Sequence, residues 1–125
     1  MSTILVVDDE PMVRGTLRDF LEREGHTVLE AEDALAARAQ LARGGHIDLA
    51  FLDVAMPGES GVELCSHLKE DPECQHIKVV LLTGLDDEQH WREGLRSGAD
   101  LYAVKPFGLE RIRIIVQELL GEGGA

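Results

Sequence analysis

Short apolar runs recur along the chain, separated by amphipathic stretches and by Gly, Pro or acidic breaks. Ile4–Val7 and Leu49–Leu52 are unbroken apolar runs, which predicts strands buried on both faces, as in a parallel sheet. Ile77–Leu82 and Ala99–Val104 predict two further strands, and Thr27–Ala31 a weaker one nearer an edge. Between them lie helical patterns. Pro11 opens a helix at its first position, with Val13, Leu17, Phe20 and Leu21 on one face, and Gly25 stops it. Asp33 is the expected N-cap of an Ala-rich helix running to Arg43, closed by Gly44-Gly45. Ser60 caps a helix over Val62–Glu70, which Pro72 prevents from extending much further. Asp86 or Asp87 caps a helix with Trp91 and Leu95 one turn apart, ended by Gly98. The last helix, Leu109–Leu120, carries Ile112, Val116 and Leu119 on one stripe. Strand and helix alternate throughout, so the expected fold is α/β, a (βα)5 doubly wound parallel five-stranded sheet.

Composition narrows the class. A chain of 125 residues with 44% apolar and 29% charged residues is expected to make one domain, over about residues 1–120. The tail Gly121–Ala125 reads as a frayed end or the start of a linker. No apolar run approaches the roughly 20 residues that span a bilayer, and no basic segment leads into an apolar one at the N-terminus. A cytoplasmic location follows as an expectation, with Cys65 and Cys74 as free thiols. A net charge of -12 disfavours direct nucleic-acid binding, because phosphates would be repelled.

The chemistry gathers where the strands end. Ile4–Val7 runs into Asp8-Asp9-Glu10, and Leu49–Leu52 into Asp53 followed by Met56-Pro57-Gly58. The fourth strand ends in Thr83-Gly84 and the fifth in Lys105-Pro106-Phe107. In a parallel sheet these ends share one edge, where open α/β sheets place their ligand crevice. Adjacent carboxylates repel one another unless a cation is present. Hard oxygens from Asp8, Asp9 and Asp53 suit Mg²⁺. A hydroxyl and an ammonium beside them suit a phosphoryl group, and an Asp carboxylate can itself attack phosphorus.

Val7-Asp8-Asp9-Glu10-Pro11, Asp53 with Met56-Pro57-Gly58 and Gly61, Leu82-Thr83-Gly84, Gly98-Ala99-Asp100 and Tyr102–Phe107 together resemble the receiver domain of two-component response regulators. The resemblance covers Thr3 to about Leu120. It implies the flavodoxin-like strand order 2-1-3-4-5. It also implies that Asp53 is the phosphoacceptor for a histidine kinase or His-phosphotransfer protein. Asp9, Asp53 and the backbone carbonyl of Ala55 would hold Mg²⁺, with Asp8 helping through water. Lys105 would pair with the phosphoryl group beside a cis Lys105–Pro106 bond. Thr83 and Tyr102 would be the switch pair, reporting to an effector face that includes Trp91, Tyr102 and Ile112. Such a protein is a signalling phosphoacceptor that catalyses only its own phosphorylation and dephosphorylation, as a monomer or a phosphorylation-dependent dimer. Gly84, Ala34 and Arg92 depart from the common pattern; Arg92 stands where an apolar residue is expected, which bears on partner choice. The absence of an effector segment suggests a single-domain regulator or phosphorelay shuttle, although a receiver cut from a longer protein would look the same.

Other readings fit less well. A haloacid-dehalogenase-like phosphatase also uses Asp, Mg²⁺, Thr or Ser and Lys, but its nucleophile sits in an Asp-x-Asp pattern, whereas Asp8 and Asp9 are adjacent. A flavodoxin-like FMN carrier would meet an acidic first loop that repels its phosphate. Cys65-Ser66-His67 and Cys74-Gln75-His76 offer zinc donors at a spacing unlike that of known fingers. His26, His46 and His90 read as surface histidines. Glu10 and Glu59 are the further acids expected near the pocket.

Overall fold

The inner strands are β1 (Thr3–Val7), β3 (Leu49–Asp53) and β4 (Lys78–Gly84), flanked by β2 (Thr27–Ala31) and β5 (Leu101–Lys105) at the edges. All pair in parallel, in the order β2-β1-β3-β4-β5, in a computed structural model that describes residues 2–84, 92 and 96–121. Apolar runs without alternation arise because both faces are covered. Leu5, Val7, Ala50, Leu52, Val79 and Leu81 point to one side, where α2 (Ala34–Ala42) and α3 (Gly61–Glu70) pack. Their neighbours Ile4, Val6, Leu49, Phe51, Val80 and Leu82 point to the other, against α1 (Pro11–Arg23) and α4 (Leu109–Leu120). Each Val, Leu, Ile or Phe side chain among them, fully removed from water, stabilises the fold by roughly 1.5–3 kcal/mol before entropy is counted. This is the expected doubly wound α/β sheet in its flavodoxin-like order.

Local signals act as anticipated at most element ends. Pro11 is the first residue of α1, and Gly25 beyond it has a φ of 96°. Asp33 caps α2 by accepting the Ala36 N–H at 2.8 Å. Ser60 caps α3 more thoroughly than expected. Its hydroxyl takes the Glu63 N–H at 3.1 Å while the Glu63 carboxylate takes the Ser60 N–H at 3.3 Å.

β5 begins at Leu101, later than the Ala99 expected from the apolar run. Asp100 is diverted from the strand because its carboxylate accepts the Val79 N–H at 2.8 Å and Lys69 Nζ at 3.0 Å. Ile112 is fully buried against the sheet together with Ile115 and Val116. It therefore belongs to the core and not to an effector face, because the apolar stripe of α4 is the side that docks. The helix expected over 86–97, with Trp91, Leu95 and His90, lies largely outside the described residues, as does the tail beyond Gly121. No helix among the described residues is long and apolar enough to cross a membrane.

Candidate functional site

Asp53 is the last residue of β3 and retains only 4% of its exposure. Its Oδ1 accepts the Ala55 N–H at 3.2 Å, which turns the chain away from the strand. α3 starts so close behind that Gly61 has no room for a side chain: a Cβ there would stand 2.2 Å from the Asp53 carbonyl oxygen. Gly58, between them, has a φ of 79°.

Asp8 follows β1 and is wholly buried. Its Oδ1 accepts the Glu10 N–H at 2.9 Å. Its Oδ2 accepts no hydrogen bond, although Lys105 Nζ approaches to 2.9 Å off the hydrogen-bonding direction. That oxygen thus has a counter-charge but no aligned donor. Lys105 also lies 3.4 Å from Asp53 Oδ2 and 3.2 Å from Glu10 Oε1. Asp8, Asp9, Glu10 and Asp53 each bring one carboxylate oxygen to within 4.8 Å of the others, with Asp9 and Glu10 exposed. Among the described residues, four carboxylates thus face one ammonium, that of Lys105.

The titration of this cluster reflects that imbalance. Burial, then the charge of Asp8, raises the Asp53 carboxyl to about 6, with Lys105 acting in the opposite sense. For Lys105 burial disfavours the ammonium, but Asp8, Asp53 and Glu10 outweigh it and push the group up to about 12.

Thr83 is buried near the end of β4, its hydroxyl 3.5 Å from the Gly84 carbonyl. The β4–β5 register sets Leu81 against Tyr102 and Thr83 against Val104, so Thr83 and Tyr102 share a sheet face two register positions apart. Tyr102 is half-buried against the α2/α3-side core, and burial raises its phenol. The Lys105–Pro106 peptide is cis, as the resemblance implied.

Asp8, Asp9, Asp53, Lys105 and Thr83 are thus carried to one sheet edge by β1, β3, β5 and β4. Glu10 joins the cluster as expected. Glu59 does not: Arg38 holds its carboxylate at 2.6 Å and His67 Nδ1 at 2.6 Å, between α2 and α3. Cys65 and His67 are not gathered with Cys74 and His76; Cys65 is buried at the Ser97 carbonyl, and His76 stacks on His46. Arg92 is exposed.

One neighbour escaped the sequence reading. Arg14 donates to the Asp8 carbonyl oxygen at 2.7 Å and to Glu30 Oε1 at 3.2 Å, bracing the acidic loop from α1. Only its placement within the first turns after Pro11 hints at that reach. An apolar cleft of about 460 Å³, lined by Met12, Val13, Thr16, Pro106 and Phe107, opens beside Glu10 and Lys105.

The profile of the response regulator receiver domain matches residues 4–117. The chain belongs to that family. It is 40% identical over 119 residues to histidine kinase P4 of Formosa agariphila, covering 95% of this chain and 8% of that protein. It is 38% identical over 117 residues to the transcriptional regulatory protein ResD of Bacillus subtilis, covering 94% of this chain and 47% of ResD. The chain therefore spans under half the length of these curated relatives. Among solved structures it resembles response regulator protein TrrA from Thermotoga maritima, solved in complex with Mg²⁺–BeF. The TM-score there is 0.80 at 37% identity, covering 95% of this chain and 99% of that one.

Receiver domains are signalling phosphoacceptors. Whether the residues here suit Mg²⁺ can be judged from the donors themselves. They are all hard carboxylate oxygens, and Asp8 Oδ2 is buried without a hydrogen-bond donor. An oxygen-preferring divalent cation would compensate both the surplus charge and that orphaned atom. The residues fit.

Proposed function

We propose that Asp53 takes a phosphoryl group from a phosphohistidine on a kinase or phosphotransfer protein, and that Thr83 and Tyr102 report the change to a partner-binding surface. The observation that carries this reading is a buried carboxylate at a strand end, 3.4 Å from Lys105 Nζ and within an acidic cluster short of cations. Asp8, Asp9, Asp53 and the Ala55 carbonyl would hold Mg²⁺, which when bound neutralises charge on the phosphoryl oxygens.

An Asp53 carboxylate oxygen attacks phosphorus, the P–N bond to the donor histidine breaks, and the imidazole leaves with its electron pair and takes a proton. The product is an acyl phosphate. Lys105 exchanges its contacts with Asp8 and Glu10 for the incoming oxygens, and the Thr83 hydroxyl turns from Gly84 toward them. Water attacking the same phosphorus returns the carboxylate. The chain acts as a switch and turns over only its own phosphate. The Mg²⁺–BeF complex of TrrA supports this chemistry.

The test is intact-mass analysis after incubation with a small acyl phosphate and Mg²⁺. One phosphoryl adduct is expected, abolished by EDTA and by Asp53→Asn. Unchanged labelling of Asp53→Asn would overturn the assignment.

A further inference from the structure

At the opposite edge of the sheet, where the strands begin, the α2–β3 and α3–β4 connections enclose a pocket of about 290 Å³. His46, Glu73, Cys74 and His76 line it. The His46 and His76 rings stack with centroids 4.8 Å apart and planes within 10°. Both are exposed, so this is not a buried pair packed in the core. Two stacked imidazoles on an open surface gain little from contact, and protonating both would set like charges face to face.

His46 has a fixed carboxylate beside it. Asp48 Oδ1 lies 2.9 Å from His46 Nε2, and Asp48 Oδ2 is itself fixed by the Thr3 N–H at 2.9 Å. An anchored carboxylate on one ring nitrogen favours the tautomer with the proton there and leaves the Nδ1 lone pair available to a cation, the usual outer-shell arrangement of metal-binding histidines. His76 makes no hydrogen bond or ion pair to a described residue, so both of its nitrogens can be recruited. Cys74 is half-buried, its thiol 3.7 Å from Asp71 Oδ2.

We propose that His46, His76 and Cys74, with Glu73 as fourth donor, form a site for a borderline-soft divalent cation such as Zn²⁺ that ties the two connections together. Nitrogen and sulfur donors select such a cation, just as the all-oxygen cluster at the other edge selects Mg²⁺. Closure requires the exposed rings and the Cys74 side chain to rotate until donors reach about 2.0–2.3 Å from the ion. The thiol releases its proton to solvent as the Zn–S bond forms. Five-residue strands separate this site from Asp53 by roughly 16 Å, so the two can be tested apart.

Cobalt(II) is the probe. Titrating it into the full chain, with the carboxylate cluster saturated by excess Mg²⁺, should give one equivalent with a thiolate-to-cobalt charge-transfer band that Zn²⁺ displaces. Cys74→Ser should remove the band, and His46→Ala or His76→Ala should weaken Zn²⁺ binding at least tenfold by calorimetry. Asp53→Asn should leave both unchanged, whatever becomes of phosphorylation. Binding without the band, binding that persists in Cys74→Ser and His76→Ala, or binding lost only in Asp53→Asn would each overturn the proposal.

Discussion

A Cβ on Gly61 would stand 2.2 Å from the carbonyl oxygen of Asp53, closer than any real side chain tolerates. The atom in the way is backbone at the end of a buried strand, so neither partner can yield cheaply. Gly61→Ala should cost about 2–4 kcal/mol by urea denaturation, the range of overpacking in a fixed core or somewhat above it. It should also weaken Mg²⁺ binding, because the Asp53 peptide must move. Gly15, mid-helix in α1 with nothing within 4 Å of an added Cβ, is the control. Gly15→Ala should stabilise by about 0.5–1 kcal/mol.

Asp53 titrates near 6 in the folded protein, against 3.8 for an ordinary aspartate. The folded state therefore holds this proton more tightly than the unfolded chain does. The resulting stability is complete below the unfolded value and is lost as pH rises from about 3.8 through about 6. Without Mg²⁺, melting should show a destabilising contribution across that window, on the order of 2 kcal/mol by pH 7. Asp53→Asn should remove it and raise the melting temperature of the metal-free protein at pH 7. Identical pH profiles for the two proteins would show that burial and Asp8 do not govern this carboxyl.

Among the described residues Lys105 is the one ammonium beside four acids, so its removal should be severe and correctable. Lys105→Met leaves buried Asp8 and Asp53 facing each other uncompensated, a change worth about 3–5 kcal/mol for a broken buried pair. Mg²⁺ should recover more stability in Lys105→Met than in the parent, because it supplies the missing charge through binding linkage. Calorimetric melting with and without Mg²⁺ measures the difference. An equal shift in both proteins would separate the cation from the carboxylates.

The sheet and most of the site were legible because the signals are local. A run such as Leu49–Leu52 states its own burial, and the residue that follows lies at the strand end whatever the rest of the chain does. What could not be read depended on distant partners. Asp100 leaves β5 for the Val79 N–H and Lys69, Glu59 turns to Arg38 and His67, and Arg14 reaches the Asp8 carbonyl. Each is a polar side chain whose neighbours come from other elements. Ile112 shows the remaining weakness: an amphipathic stripe is visible in sequence, but the same stripe can serve the core or a partner.

Thr83 and Tyr102 lie on one sheet face, two register positions apart, with Thr83 nearer the edge that carries Asp53 and Lys105. If the Thr83 hydroxyl turns toward a phosphoryl group, as proposed above, it would leave space beside the β4 backbone. Tyr102, only half-buried, can move inward to fill it and bury more of its ring. Beryllofluoride with Mg²⁺ mimics the acyl phosphate, so adding it should shift the Tyr102 ring resonances and perturb emission from Trp91, the single tryptophan of the chain. Thr83→Ala lacks that hydroxyl. It should still bind the mimic, because Asp53 and Lys105 remain, yet show a several-fold smaller Tyr102 response. Thr83→Ser keeps the hydroxyl and should restore most of it. If Tyr102 responds equally in all three proteins, the phosphoryl signal leaves the pocket by another route and Thr83 serves only to line it.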